Sequence, residues 1–129
     1  MSKIEKVTPI VFKGVGEFEG REYTLEYNRR TVVKAEKAGL DINAVESKPM
    51  TMVYIMWWGA FLMHHPYIKQ EQTDKILDDQ FGGISGLANV TNDKGESLIE
   101  HLGKLYSAPF QTLIPDEGEG ANPRTVVQF

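Results

Sequence analysis

Apolar residues recur loosely from Ile10 to Phe18, and Tyr23, Leu25 and Tyr27 then alternate with Thr24, Glu26 and Asn28. A period of two is that of a strand with one buried face, so the pattern predicts a β-hairpin. Between the runs, Gly20 followed by Arg21 suits a two-residue turn with positive φ at its first central position. Such a hairpin is marginal alone and must lay its apolar face on something else.

The period then lengthens to that of helices. Asn28 is placed to cap a helix from about Arg29 to Ala38, with Val32, Val33 and Ala35 as its apolar contacts and Gly39 as a left-handed stop. Asp41 can cap one short turn carrying Ile42 and Val45, and Pro49 suits the first turn of the helix that follows. That central helix, Met50 to His65, is apolar around nearly its whole circumference, with Tyr54, Trp57, Trp58 and Phe61 spread over several faces. It needs cover on every side, and in so small a chain part of that cover is expected from another subunit or a partner. Gly59 and Ala60 would permit one close backbone crossing.

Lys69 to Phe81 predicts a short amphipathic helix with Ile76, Leu77 and Phe81 on one side. Gly82, Gly83, Gly86, Asn89, Asn92, Asp93 and Gly95 favour a flexible loop. A last helix from about Glu96 to Tyr106 carries Leu98, Ile99, Leu102, Leu105 and Tyr106 on one face, and Pro109 is expected to end it and start another turn through Leu113. Beyond Pro115 the chain is acidic and rich in helix breakers, which predicts a disordered tail with an apolar tip at Val126, Val127 and Phe129. The expectation is therefore one α+β domain over residues 1–114: an N-terminal hairpin, then a mostly helical bundle around a hydrophobic central helix. Residues 115–129 form a flexible acidic tail.

Composition narrows the function classes. The 129 residues include no cysteine, which excludes disulfides, thiolate metal sites and cysteine nucleophiles. With 14 basic and 18 acidic residues, the net charge of -4 gives no global reason to bind nucleic acid. The first 13 residues mix Lys3, Glu5, Lys6 and Pro9 among few apolar residues, unlike a secretory signal. The uncharged run Met52 to Met63 falls short of the about 20 residues that a bilayer requires.

Candidate chemistry is sparse. Gly14, Gly16 and Gly20 resemble a dinucleotide fingerprint with one spacing too long, inside a hairpin and beside Glu17 and Glu19, so a turn or bulge is the better reading. The glycines at 82, 83 and 86 lack the lysine of a phosphate loop. His64 and His65 are adjacent, hence about 100° apart on a helix, and their spacing suits C-terminal capping better than metal ligation. Ser97 and His101 lack a nucleophile turn and an oxyanion hole, so no catalytic group is assigned. Neither a cofactor nor a metal is expected. Arg30, Lys34 and Lys37, with Arg29 beside them, form a basic face that Glu36 interrupts, and a solvated surface is favoured over a nucleic-acid site. Met50, Met52, Met56 and Met63 are adaptable side chains of a kind used on surfaces that take several apolar partners.

The order of segments resembles a known family. A hairpin ending in Tyr-Thr-Leu-Glu-Tyr at 23–27 is followed by Asn-Arg-Arg-Thr-Val-Val-Lys-Ala-Glu-Lys-Ala-Gly at 28–39 and Lys-Pro-Met-Thr-Met at 48–52. Trp-Gly-Ala-Phe-Leu-Met-His-His at 58–65 and Leu-Ile-Glu-His-Leu-Gly-Lys-Leu-Tyr at 98–106 complete the series. Over about Tyr23 to Leu113 it is similar to the small tail assembly chaperones of long-tailed, siphovirus-type bacteriophages, with the glycine-rich stretch 82–95 as a departure. The resemblance implies a non-enzymatic oligomer of the host cytoplasm, absent from the mature virion. It would coat the tape measure protein and keep it soluble during tail morphogenesis. In members with a programmed frameshift, a longer product recruits the tail tube protein. On this reading Met56, Trp57, Trp58, Phe61 and Met63 contribute surfaces for partner binding or self-association. Another phage structural or morphogenesis protein, or a small nucleic-acid-binding regulatory module acting through the basic face, is the alternative.

Overall fold

The computed structural model describes residues 7–113, and the expected tail lies outside them. Strands β1 (Ile10–Lys13) and β2 (Glu22–Leu25) pair antiparallel, with Ile10 opposite Leu25 and Lys13 opposite Glu22. Their alternation turns Tyr23 and Leu25 inward and leaves Val11 exposed. The connection is wider than the two-residue turn expected at Gly20 and Arg21. The Gly14 amide already bonds to the Arg21 carbonyl at 2.9 Å, and a 3-10 turn, Gly16–Phe18, follows inside the loop. The loop swings Phe18 into the core, and its carbonyl oxygen would clash with a Cβ on Gly14, which explains glycine there.

Helix α1 (Arg29–Lys37) starts with a reciprocal cap: Asn28 accepts from the Thr31 amide at 2.9 Å, and Thr31 accepts from the Asn28 amide at 3.0 Å. It stops before Gly39, whose φ of 116° is in the range that favours glycine. A 3-10 turn, Ile42–Ala44, is capped by Asp41 as its sequence predicts. Helix α2 (Pro49–Phe61) is the central element, with Pro49 in its first turn. It ends four residues before His65. Pro66 disfavours helical backbone at the residue before it, and both histidines turn toward the hairpin.

The chain itself supplies most of the cover that α2 needs. Phe12 of β1 stacks on Trp57 at 5.8 Å, and Tyr23 of β2 meets Phe61 edge-on at 5.4 Å. The Glu26 amide donates to the Ala60 carbonyl at 2.9 Å, and the Tyr27 hydroxyl to the Met56 carbonyl at 2.7 Å. Helix α1 crosses at Gly59, where an added Cβ would meet the Ala35 Cβ at 2.9 Å and clash with the Tyr27 hydroxyl.

Helix α3 (Gln70–Ile76) covers another side and accepts the Trp57 indole N–H on the Thr73 carbonyl at 2.9 Å. It continues as a π-turn, Leu77–Phe81, which buries Leu77 and seats Phe81 on Phe12 at 5.0 Å. The glycine-rich stretch expected to be a loop instead contains helix α4 (Gly83–Asn89). Gly82 and Gly83 take positive φ and reverse the chain, Gly86 lies where a Cβ would overlap the Phe81 carbonyl oxygen, and Leu87 is wholly buried. Here glycine makes a tight helix–helix corner. A bridge between Thr91 and Ser97 leads into helix α5 (Leu98–Leu113). Pro109 sits inside α5 and does not end it. A proline within a helix costs about 3 kcal/mol, and burial of Leu102, Leu105, Tyr106 and Pro109 itself offsets that cost. Among the described residues the architecture is α+β, a two-stranded hairpin and five helices, with α2 at the centre.

Candidate interaction surface

Eight of the thirteen α2 residues are buried, and the open side is a single strip. Met50 is 66% exposed, and Tyr54 and Trp58, four and eight residues on, are half-buried. The spacing i, i+4, i+8 aligns them along one side of the helix. Each aromatic ring is held by its polar end. Tyr54 donates to the Asp78 carboxylate, and burial together with that bond pushes its hydroxyl up to about 12. The Trp58 indole N–H donates to the Ile68 carbonyl at 3.2 Å, beside Tyr67, which is 92% exposed. The anchored rings present apolar area while losing little side-chain entropy on contact, and the flexible methionine beside them adapts its shape at a larger entropic cost.

Of the five residues expected to serve partners or self-association, Met56, Trp57 and Phe61 lie at 5%, 0% and 0% exposure inside the core. Their interior positions leave them no side-chain surface to offer, which corrects the surface role expected of them. Trp58 keeps open area on the strip, and Met63 is exposed just beyond the helix. Met50 reads from the sequence as one of four adaptable methionines and Tyr54 as one of the aromatics of the central helix, but neither is joined to Trp58 there, although the spacing is readable. An all-apolar helix hides which of its sides the rest of the chain leaves bare.

The histidines tie elements together. His64 Nε2 lies 2.9 Å from Glu26, and His65 Nε2 accepts from the Thr24 amide at 3.3 Å. Their side chains thus bridge to β2 and the residue after it, while their backbone amides donate to the Phe61 carbonyl at the end of α2. Burial, with the charge of His64 beside it, lowers the His65 pKa. A hollow of about 400 Å³ lies there, lined by Phe18, Arg21, Tyr23, His65, Ile68 and Gln72. His101 faces Glu96 at 2.7 Å through Nδ1 and the Thr8 carbonyl at 2.5 Å through Nε2, while Ser97 bonds to Glu100. Bonds to Lys104 and then His101 hold the Glu96 carboxyl down at about 2. Two acceptors on one imidazole and a cation on the carboxylate describe a clamp between α5 and the start of β1, with no nucleophile in line.

On α1, Arg30, Lys34 and Lys37 are exposed along one side, and no ion pair among the described residues engages them. Glu36 is turned away from them and accepts from the Tyr106 hydroxyl at 3.4 Å. Among the described residues no group of three acidic or histidine side chains could hold a metal ion, and no helix is long and apolar enough to cross a membrane.

A comparison with protein families matches residues 13–129 to a domain of unknown function, DUF5055. No curated protein and no solved structure matches the chain.

Proposed function

The chain belongs to the DUF5055 family, a domain of unknown function, and we propose that it is a bacteriophage tail assembly chaperone that binds and solubilises the tape measure protein. The observation that carries this reading is the Met50, Tyr54 and Trp58 strip, an apolar and aromatic surface left bare on an otherwise covered helix. An amphipathic helix of the partner lies along such a strip through its own i, i+3, i+4 and i+7 residues. Self-association and recruitment of the tail tube protein by a longer frameshifted product belong to the same reading. The role is non-enzymatic and belongs to the host cytoplasm.

Co-expression with the longest helical protein encoded beside it, followed by size exclusion with light scattering, tests the proposal. The intact chain should keep that protein soluble in a stable complex. Met50→Ser combined with Trp58→Ala should weaken capture by roughly thirtyfold, the effect of losing about 2 kcal/mol at an interface centre. A partner that stays insoluble beside the intact chain contradicts the proposal. The exposed basic face of α1 favours nucleic-acid binding as the second reading, and that would show as salt-dependent retention of DNA.

A further inference from the structure

We infer that the outer edge of β1 pairs with the same edge of a second copy of this chain, antiparallel, with Val11 opposite Val11. The sheet has two outer edges, and the chain uses them unequally. On β2 and just after it, the Thr24 amide donates to His65 and the Glu26 amide to the Ala60 carbonyl. On β1 the register, together with the bond from the Gly14 amide to the Arg21 carbonyl, makes Ile10, Phe12 and Gly14 the residues whose amides face β2. The N–H and C=O of a trans peptide point opposite ways, so the amides of Val11 and Lys13 and the carbonyls of Pro9, Val11 and Lys13 face outward. Of these groups only the Lys13 carbonyl has a partner among the described residues, the Gln80 side-chain amide at 2.8 Å.

What remains on this edge is complementary to itself. Around a twofold axis at Val11, each Val11 amide meets the Val11 carbonyl of the other copy, and each Lys13 amide meets the other copy's Pro9 carbonyl. Pro9 and Lys13 would ordinarily exchange a second bond. Pro9 has no N–H to give it, and the Lys13 carbonyl that would receive it already accepts from Gln80, so the missing donor falls opposite the spent acceptor. An axis at Lys13 would instead oppose two spent carbonyls and two lysines. Proline and lysine usually guard an exposed edge, but here they flank a valine that is 56% exposed, in positions this register accommodates. Charge favours the same register. It sets Lys13 of the second copy opposite Pro9, which lines a hollow of about 340 Å³ whose charged residues are Asp93, Lys94 and Glu96. Glu96 is held by His101 and Lys104, whereas neither Asp93 nor Lys13 has an ion pair among the described residues, so the two are matched across the contact. A contact made by one short strand falls below the ~1,200 Å² of stable interfaces and exchanges with monomer, with a Kd on the order of 0.1 mM. It uses nothing of the α2 strip and does not rest on the chaperone proposal.

Amide hydrogen exchange of the intact chain, read by NMR at ~50 µM and ~1 mM, tests the inference. With that Kd the free edge falls from about three-fifths of the molecules to about a fifth, so the Val11 and Lys13 amides should exchange roughly threefold more slowly in the concentrated sample. The Ile10 and Phe12 amides, bonded to β2, should be protected alike in both. Isotope-filtered NOEs should link the Ile10 α-proton of one copy to the Phe12 α-proton of the other, the close pair that flanks Val11 opposite Val11. Val11→Lys opposes two cations at an exposed site and should abolish the concentration dependence while leaving the circular dichroism spectrum unchanged. A chain that sediments as a monomer at ~1 mM overturns the inference, as does a dimer in which the Val11 and Lys13 amides exchange no more slowly than in the dilute sample. Protection already complete in the dilute monomer puts another part of the same chain on the edge and overturns it too.

Discussion

Trp57 and Trp58 are neighbours in sequence with opposite environments. Trp57 is wholly buried among Phe12, Phe61 and Phe81 and spends its indole N–H on Thr73, so Trp57→Ala should cost about 3–5 kcal/mol. Trp58 is half open with one hydrogen bond, and Trp58→Ala should cost only about 1–2 kcal/mol and leave a folded chain. Denaturant titration of the two variants separates them, and equal losses would place Trp58 in the core. Glu96 makes a second prediction at this scale. Its carboxyl is held at about 2, below the ordinary 4.5, so the unfolded chain binds a proton there first as pH falls. The stabilisation is present above about 4.5 and lost as pH drops toward 2. Glu96→Gln should therefore flatten stability against pH across that window, measured by denaturant midpoints. An unchanged slope would show that the clamp to Lys104 and His101 contributes nothing.

At the scale of elements, the α1–α2 crossing depends on one missing side chain. Gly59→Ala would force a methyl against Tyr27 and Ala35. Overpacking of this kind costs about 1–3 kcal/mol despite the better helix propensity of alanine. A rise in melting temperature would mean that the crossing is looser than described. Local signals made several elements legible. The hairpin's alternation, the Asn28 cap, Gly39, Asp41 and Pro49 each act within a few residues, and the structure holds them where the pattern put them. Helix α4 and the passage through Pro109 were not legible, because distant packing decides them: Leu87 and Leu105 are drawn into the core strongly enough to override glycine and proline. The strip was half legible for the same reason. The sequence marks α2 as apolar all round, and only the packing of α1, α3, α5 and the hairpin shows that Met50, Tyr54 and Trp58 are left over.

At the scale of the molecule, a small α+β domain surrounds its most apolar helix on all but one side and carries a separate basic face on α1. The chaperone proposal stands on the first of those surfaces. The chain has two tryptophans, so its two indole N–H resonances are a built-in report. NMR titration of the intact chain with apolar helical segments of the proposed partner, the tape measure protein, reads the strip itself. The Trp58 indole should shift with the amides around Met50 and Tyr54 while the buried Trp57 indole stays in place. Binding that leaves Trp58 unmoved, or no binding by any segment, would contradict the proposal.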